Sequence, residues 1–181
     1  MKVVNLMDLI NMEIRREAPG EASKVRNVNK LAFEGSAEAK VIDRLRQTCP
    51  DYVSYVAVVD GRIVGHILFT PAWLESPHGR VYGMGLAPLA VLPEYQNLGI
   101  GGKLIRVGLS EMHKAGWPFV IVLGHPGYYP RFGFEIAAKY CIRCEYNDVP
   151  QEAFMITVFD QSLLPPDGAI AHYLPEWAEA T

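Results

Sequence analysis

The chain has 181 residues, 50% hydrophobic and 20% charged, enough for a globular domain with its own core. Its net charge of −3 argues against nucleic acid as a partner. The opening stretch MKVVNLMDLIN is broken by Asn5 and Asp8, so it makes neither a signal-peptide core nor a membrane span. It reads as an extension, residues 1–11, of a cytoplasmic protein with no membrane partner.

In chain order, MEIRRE alternates as a first strand, and the breaker APGE leads to ASKVRNVNKLAF. Its Val25, Val28, Leu31 and Ala32 recur at helical spacing. Ser36 stands where it can cap a second helix, AEAKVIDRLRQT, with Val41, Ile42 and Leu45 on one face. YVSYVAVV and RIVGHILFT flank Asp60-Gly61, a hairpin signal. VYGMGLAPLAVL is a further strand that must be irregular or splayed at Pro88, which has no N–H to donate. A helix follows from about Gly101 to Ala115, stopped by Gly116 and Pro118. Leu104, Ile105, Gly108, Leu109 and Met112 form its apolar face. PFVIVLG is apolar throughout, as a strand covered on both faces should be, and YCIRCEY and AFMITVF are two last strands. Residues 161–181 form an irregular tail packing on the domain, whose body is 12–160.

Three cysteines, Cys49, Cys141 and Cys144, do not build a disulfide framework. CIRC has no second CxxC and falls in an expected strand, where residues three apart face opposite ways. Reduced thiols and no metal site are expected.

The segment PEYQNLGIGGKLI concentrates Gly99, Gly101 and Gly102 between a strand and a helix. A strand, a glycine turn and a helix start aim several unpaired backbone N–H groups and the positive helix end at one point. Such a turn holds anions, diphosphates above all. Two familiar phosphate loops fail on position. A Walker loop ending at Gly102-Lys103 needs glycine at 97 and Ser or Thr at 104, where the chain has Asn97 and Leu104. A dinucleotide fingerprint from Gly99 needs a small residue where Leu104 stands.

What remains, Gln96-Asn97-Leu98-Gly99-Ile100-Gly101, is a Q-x-x-G-x-G. Together with PLAVLPEYQNLGIGGKLI, VLGHPGYYPRFGF, VGHILFTP and DRLR, it resembles the GNAT superfamily of acyl-CoA-dependent N-acyltransferases, in particular its YhbS-like subgroup. The resemblance covers roughly residues 12 to 160. It implies an α/β (α+β) fold: a mixed, mostly antiparallel sheet of about six to seven strands, splayed at the fourth and flanked by about four helices. It implies acetyl-CoA as cosubstrate. The backbone of Gln96, Asn97, Leu98, Gly99, Ile100 and Gly101, with Gly102 and Lys103 opening the helix, would hold the diphosphate. Leu89, Ala90 and Val91 would lie beside the pantetheine arm, with the Val91 amide as oxyanion donor. Tyr129, four residues before Gly133, matches the tyrosine that protonates the departing thiolate, with His125 nearby on the cofactor's side.

The implied reaction is direct attack of an amine on the thioester. Reaching the neutral amine costs about 4 to 5 kcal/mol at pH 7 for a lysine-like amine, but roughly 1 to 1.5 for an α-amine of pKa about 8. Candidate bases are Glu94, His125, His66 and Glu34, each with an ordinary surface or core role as its alternative. The resemblance places the acceptor by residues 31–39 and 147–153, where Glu34 and Glu38, with His66, are candidate contacts for a small-molecule or protein amine. A second reading is an acetyl-CoA sensor without turnover. The tail around Ile170, Tyr173 and Trp177, or an exposed last strand, offers a homodimer seam.

Overall fold

A computed structural model of the chain describes residues 11–179, so the expected extension lies outside the described residues except for Asn11. Among the described residues, nine strands of a mixed sheet and three α-helices place the chain in the α/β class. Packing divides it into two compact units, one comprising the chain through Phe69, Pro88–Gly108 and the segment from Pro175, the other Thr70–Ala87 and Leu109–Leu174. Strands β3 (Arg62–Ser76) and β4 (Gly79–Val91) and helix α3 (Ile100–Lys114) run through both.

In the first unit, β1 (Glu13–Arg16) lies antiparallel to β2 (Val53–Val59), which pairs antiparallel with β3. The β2–β3 turn takes left-handed backbone at both central residues, φ 48° at Asp60 and 78° at Gly61, the twist that a two-residue hairpin favours. Helices α1 (Ala22–Ala32) and α2 (Ala37–Thr48) bury Val25, Val28, Val41, Ile42 and Leu45. Two expectations are corrected. Leu31 is 44% exposed, and the buried place on α1 goes to Asn29. Ser36 precedes α2 but makes no side-chain cap, because its ψ of 3° departs from the extended backbone that capping requires.

Alternation along β3 sorts its faces. Gly65 looks onto α3, where a Cβ would lie 3.0 Å from Leu104 and 3.2 Å from Ile100; the next residue, His66, looks the other way, toward Asn29 of α1.

In the second unit, Met84–Leu86 of β4 run parallel to Val120–Val122 of β5 (Phe119–Leu123). This ladder is short and stops two residues before Pro88, in keeping with the expected splay. β5 also pairs antiparallel with β8 (Phe154–Val158), which pairs with the two-residue β6 (Glu135–Ile136). Residues Phe119–Val122 are buried, as an all-apolar strand requires.

The region after β8 departs from expectation. The tail contains a strand, β9 (Ala169–His172), antiparallel to Trp73–Glu75 of β3 and parallel to β7 (Ile142–Cys144). Only Ile142–Cys144 of YCIRCEY is strand, since Cys141 adopts left-handed backbone at φ 56°. The extra strands raise the expected six or seven to nine. A fourth helix is replaced by one 3-10 turn, Tyr129–Phe132, limited by Pro130 and by left-handed Gly133. Tyr173 and Trp177 are 5% and 6% exposed within this chain, so of the three tail residues only Ile170, at 40%, is open to a dimer seam.

Gly108 lies in the interior of α3, where glycine costs about 1 kcal/mol against alanine. A Cβ there would stand 2.5 Å from the Phe69 ring, which is fully buried. Gly108→Ala should therefore lower stability in urea by about 1–3 kcal/mol instead of raising it. An increase would mean that the ring does not hold its place.

Candidate active site

The loop from Leu92 to Gly102 begins as a 3-10 turn, Pro93–Tyr95, and becomes α3 at Ile100. Its amides divide into used and free. Gln96 N–H donates to the Pro93 carbonyl (3.3 Å), and Lys103 N–H closes the first helical bond to Gly99 (3.1 Å). Among the described residues, the amides of residues 97–102 have no backbone acceptor. Asn97 (φ 61°) and Gly99 (φ 82°) both take left-handed backbone, which turns successive N–H groups to one side as an anion-binding nest. A Cβ on Gly99 would meet nothing within 4 Å, so the approach is open. These groups fit a diphosphate: six unpaired donors at the positive end of a fifteen-residue helix. Of the expected set, the Gln96 and Lys103 amides are already engaged, and Gln96 contributes instead a side-chain Nε2–H donated to the Val91 carbonyl (3.0 Å).

That last bond fixes the edge of β4. Leu92 N–H donates to Val64 on β3 (2.9 Å), and backbone groups alternate sides along a strand. Ala90 therefore turns its N–H toward β3, while Leu89 and Val91 turn theirs to the opposite edge. Val91 is half-buried there, as an oxyanion donor or a partner for an added amide should be.

In the second unit, Tyr129 opens the 3-10 turn and is 9% exposed. Its ring lies across Gly124, where a Cβ would be 2.2 Å away, and meets Tyr128 and Phe134 edge-on at 5.3 and 5.6 Å. Burial first, and the neighbouring Tyr128 second, push its pKa up to about 12, so it holds its proton at neutral pH. His125 is exposed, and its Nδ1 accepts from Gly127 N–H (3.1 Å).

The remaining candidates have partners or positions of their own. Glu94 accepts from Arg62 (2.9 Å). Glu34 is exposed with left-handed backbone at φ 51°, and Glu38 is half-buried in the first turn of α2.

His66 is fully buried in a polar chain within the first unit. Asn29 Nδ2–H donates to the Val25 carbonyl (2.9 Å) and faces His66 Nδ1 (3.0 Å), so Nδ1 is the acceptor and the ring proton is on Nε2. Nε2–H then donates to Ser54 (3.1 Å), whose hydroxyl donates to Glu17 (2.5 Å). Arg46 completes the chain with an ion pair to Glu17 at 2.7 Å. Both ring nitrogens are thus satisfied, which is the core histidine of the ordinary alternative. Burial first, then the Arg46 charge, lowers its pKa to about 3.

Sequence patterns missed Tyr173, because HYLPEW carries no motif. Its ring lies over Gly85, where a Cβ would be 2.7 Å away, and stacks on Tyr146 at 6.4 Å. Its buried hydroxyl has no hydrogen-bond partner, and Cys144, Tyr146 and Tyr129 all bear on it electrostatically. The only sequence signal was the unusual Gly-Met-Gly in β4, which leaves space for rings.

Among the described residues, no three His, Cys, Asp or Glu side chains gather so as to hold a metal ion, and no helix is long and apolar enough to cross a membrane. All three cysteines are free; Cys49 is buried, Cys144 half-buried and Cys141 exposed.

The motifs and fold converge with the comparisons to known proteins. The family model for the acetyltransferase (GNAT) domain matches residues 13–137. YjhQ of Escherichia coli K12, an uncharacterized N-acetyltransferase, is 43% identical over 120 residues, 65% of this chain and 66% of that protein. YhbS of the same strain, also an uncharacterized N-acetyltransferase, is 35% identical over 149 residues, 82% of this chain and 85% of that protein. The crystal structure of E. coli YhbS in complex with CoA superposes with a TM-score of 0.83 at 29% identity, over 92% of both chains. A GNAT acetyltransferase from Brucella melitensis in complex with acetyl-CoA gives 0.73 at 32% identity, over 92% of this chain and 98% of that one. The chain belongs to the GNAT family of N-acetyltransferases.

The buried histidine makes stability depend on pH. In the unfolded chain His66 binds a proton below about pH 6.5, whereas in the folded chain it stays neutral down to about 3. The unfolded state therefore holds more protons between those values, and stability is full above 6.5 and falls as pH drops toward 3. His66→Gln should flatten the urea midpoint measured from pH 7 to pH 4; an unchanged slope would assign the dependence to other groups.

Proposed function

We propose that this protein binds acetyl-CoA and transfers its acetyl group to a primary amine by direct attack. The observation that carries the reading is the run of unpaired amides at residues 97–102, in the place where the family motif puts its diphosphate. CoA and acetyl-CoA are bound in the two related crystal structures, which supports the same cosubstrate here. In this reading the nest holds the diphosphate, and the outward backbone groups of Leu89 take the pantetheine amides, since the Val91 carbonyl already accepts from Gln96. The Val91 N–H stabilises the carbonyl oxygen as the amine nitrogen bonds to its carbon and the carbon–sulfur bond breaks.

Tyr129 serves the departing sulfur. A phenol near 12 cannot simply hand its proton to a thiolate of pKa about 8.5, since that transfer runs uphill by roughly 5 kcal/mol. Tyr129 therefore donates a hydrogen bond as the bond to sulfur breaks, and full transfer to sulfur follows only as solvent returns to the phenol oxygen a proton equivalent to the one the attacking nitrogen sheds. With His66 neutral and saturated and Glu94 paired to Arg62, that proton leaves through water or through His125. An α-amine, already close to neutral at pH 7, suits such a site better than a lysine-like amine.

Two variants and one assay test the reading. Gly99→Glu introduces a side chain at φ 82° and a negative charge at the nest, and should weaken acetyl-CoA binding by about tenfold or more. Tyr129→Phe should lower kcat on the order of 10²- to 10⁴-fold while leaving acetyl-CoA affinity intact. Both are read by the melting shift with acetyl-CoA and by amine-dependent release of free thiol across an amine panel. No melting shift at millimolar acetyl-CoA would refute the assignment. Binding without amine-dependent thiol release would favour the sensor.

A further inference from the structure

The second unit contains an open cavity of about 250 Å³, close to the small end of ligand sites at roughly 300 Å³. Its wall is made by β7, the loop after it and the start of β8: Arg143, Tyr146, Asn147, Val149, Gln151 and Phe154 are among its lining residues. Ile142 and Cys144 add further apolar surface. No Asp or Glu lines it, and its one charged residue is Arg143. Arg143 is exposed and makes no ion pair with any described residue. Of the acids near it in sequence, Glu145 is engaged elsewhere, accepting from His172 Nδ1 (2.8 Å) and from Tyr173 N–H (2.7 Å), and Asp148 and Glu152 are not among the lining residues.

Three features fix what such a space can hold. A polycation would meet a guanidinium and no carboxylate, so a polyamine or aminoglycoside is repelled. A free guanidinium matches a carboxylate, which it binds through two parallel hydrogen bonds. The Tyr146 and Phe154 rings, with Val149, take an apolar or aromatic body, and Asn147 and Gln151 offer neutral donors and acceptors. Tyr146 is also held in place, stacked on Tyr173 within 15° of parallel. Tyr173 in turn feels the electrostatic influence of Tyr129, the residue assigned to the sulfur.

We infer that this cavity takes the acetyl acceptor, and that the acceptor is an amino-acid-sized amine carrying a carboxylate on an apolar or aromatic body, with Arg143 as its carboxylate contact. The inference rests on the acetyltransferase reading and narrows it, turning the acceptor away from the cationic amines that Glu34 and Glu38 would have favoured.

Calorimetric titration of the full chain tests it, with L-phenylalanine, phenethylamine and spermidine as probes and acetyl-CoA titrated separately. Phenylalanine should bind at one site, with phenethylamine at least about tenfold weaker because it lacks the carboxylate, and spermidine giving no binding. Arg143→Gln should lower phenylalanine affinity about tenfold, Arg143→Lys should restore part of it, and neither should alter acetyl-CoA affinity. The inference is overturned if phenylalanine does not bind, if Arg143→Gln binds it unchanged, or if spermidine binds as well as phenylalanine. Failure of acetyl-CoA to bind, with phenylalanine still bound through Arg143, would sink the acetyltransferase reading and leave the cavity's ligand class standing. Acetyl-CoA binding without phenylalanine binding would do the reverse.

Discussion

An α-helix cannot satisfy its own first amides, and this chain exploits that constraint where β4 gives way to α3. Asn97 and Gly99 bend the backbone into left-handed conformations just before the helix, so the loop adds its unpaired N–H groups to those of the first turn. The loop forgoes local hydrogen bonds that a tighter turn would make, which leaves donors that fit an anion. The Gln96 side chain bonds back to Val91 and ties this nest to the strand whose outward amides would carry the rest of the cosubstrate. In the proposed reading, one short segment thereby sets both where the phosphates would go and which edge of β4 faces the cosubstrate.

Close approach of rings to bare backbone is the second constraint. Tyr129 lies on Gly124, Tyr173 on Gly85 and Phe69 on Gly108, each at distances that a methyl group would forbid. These contacts lock aromatic side chains in buried positions without polar partners, and burial raises the pKa of the Tyr129 phenol further above the neutral range. A group held neutral in this way suits hydrogen-bond donation to a departing sulfur and is poorly suited to act as a base. Buried polar residues elsewhere have the opposite fate: His66 is tied on both nitrogens into a chain from Asn29 to Glu17, which holds α1 to the strands below it.

Much of this was legible in the residues because local physics dominated there. The Asp60-Gly61 hairpin, the apolar β5 and the limits of α1, α2 and α3 follow from turn chemistry and periodicity, which act over a few residues. The features that were not legible depend on distant partners. Leu31 looked like a core residue until Asn29 took that place to reach His66, thirty-seven residues away. β9 is too short and too proline-flanked to announce itself, and exists because β3 and β7 offer it edges on both sides. In the candidate site, the glycine loop stood out through spacing and Tyr129 through the family resemblance, whereas Tyr173 and the cavity beside Arg143 are assembled from segments with no common motif.

The account depends on the amides of residues 97–102 being the anchor for the diphosphate, and amide-resolved NMR reads them individually. Titrating ¹⁵N-labelled protein with CoA should shift the N–H resonances of Asn97 through Gly102 downfield as they gain an acceptor, while the already engaged Gln96 and Lys103 amides move less. Saturable binding with those six resonances unmoved, and the changes centred elsewhere, would contradict the account directly.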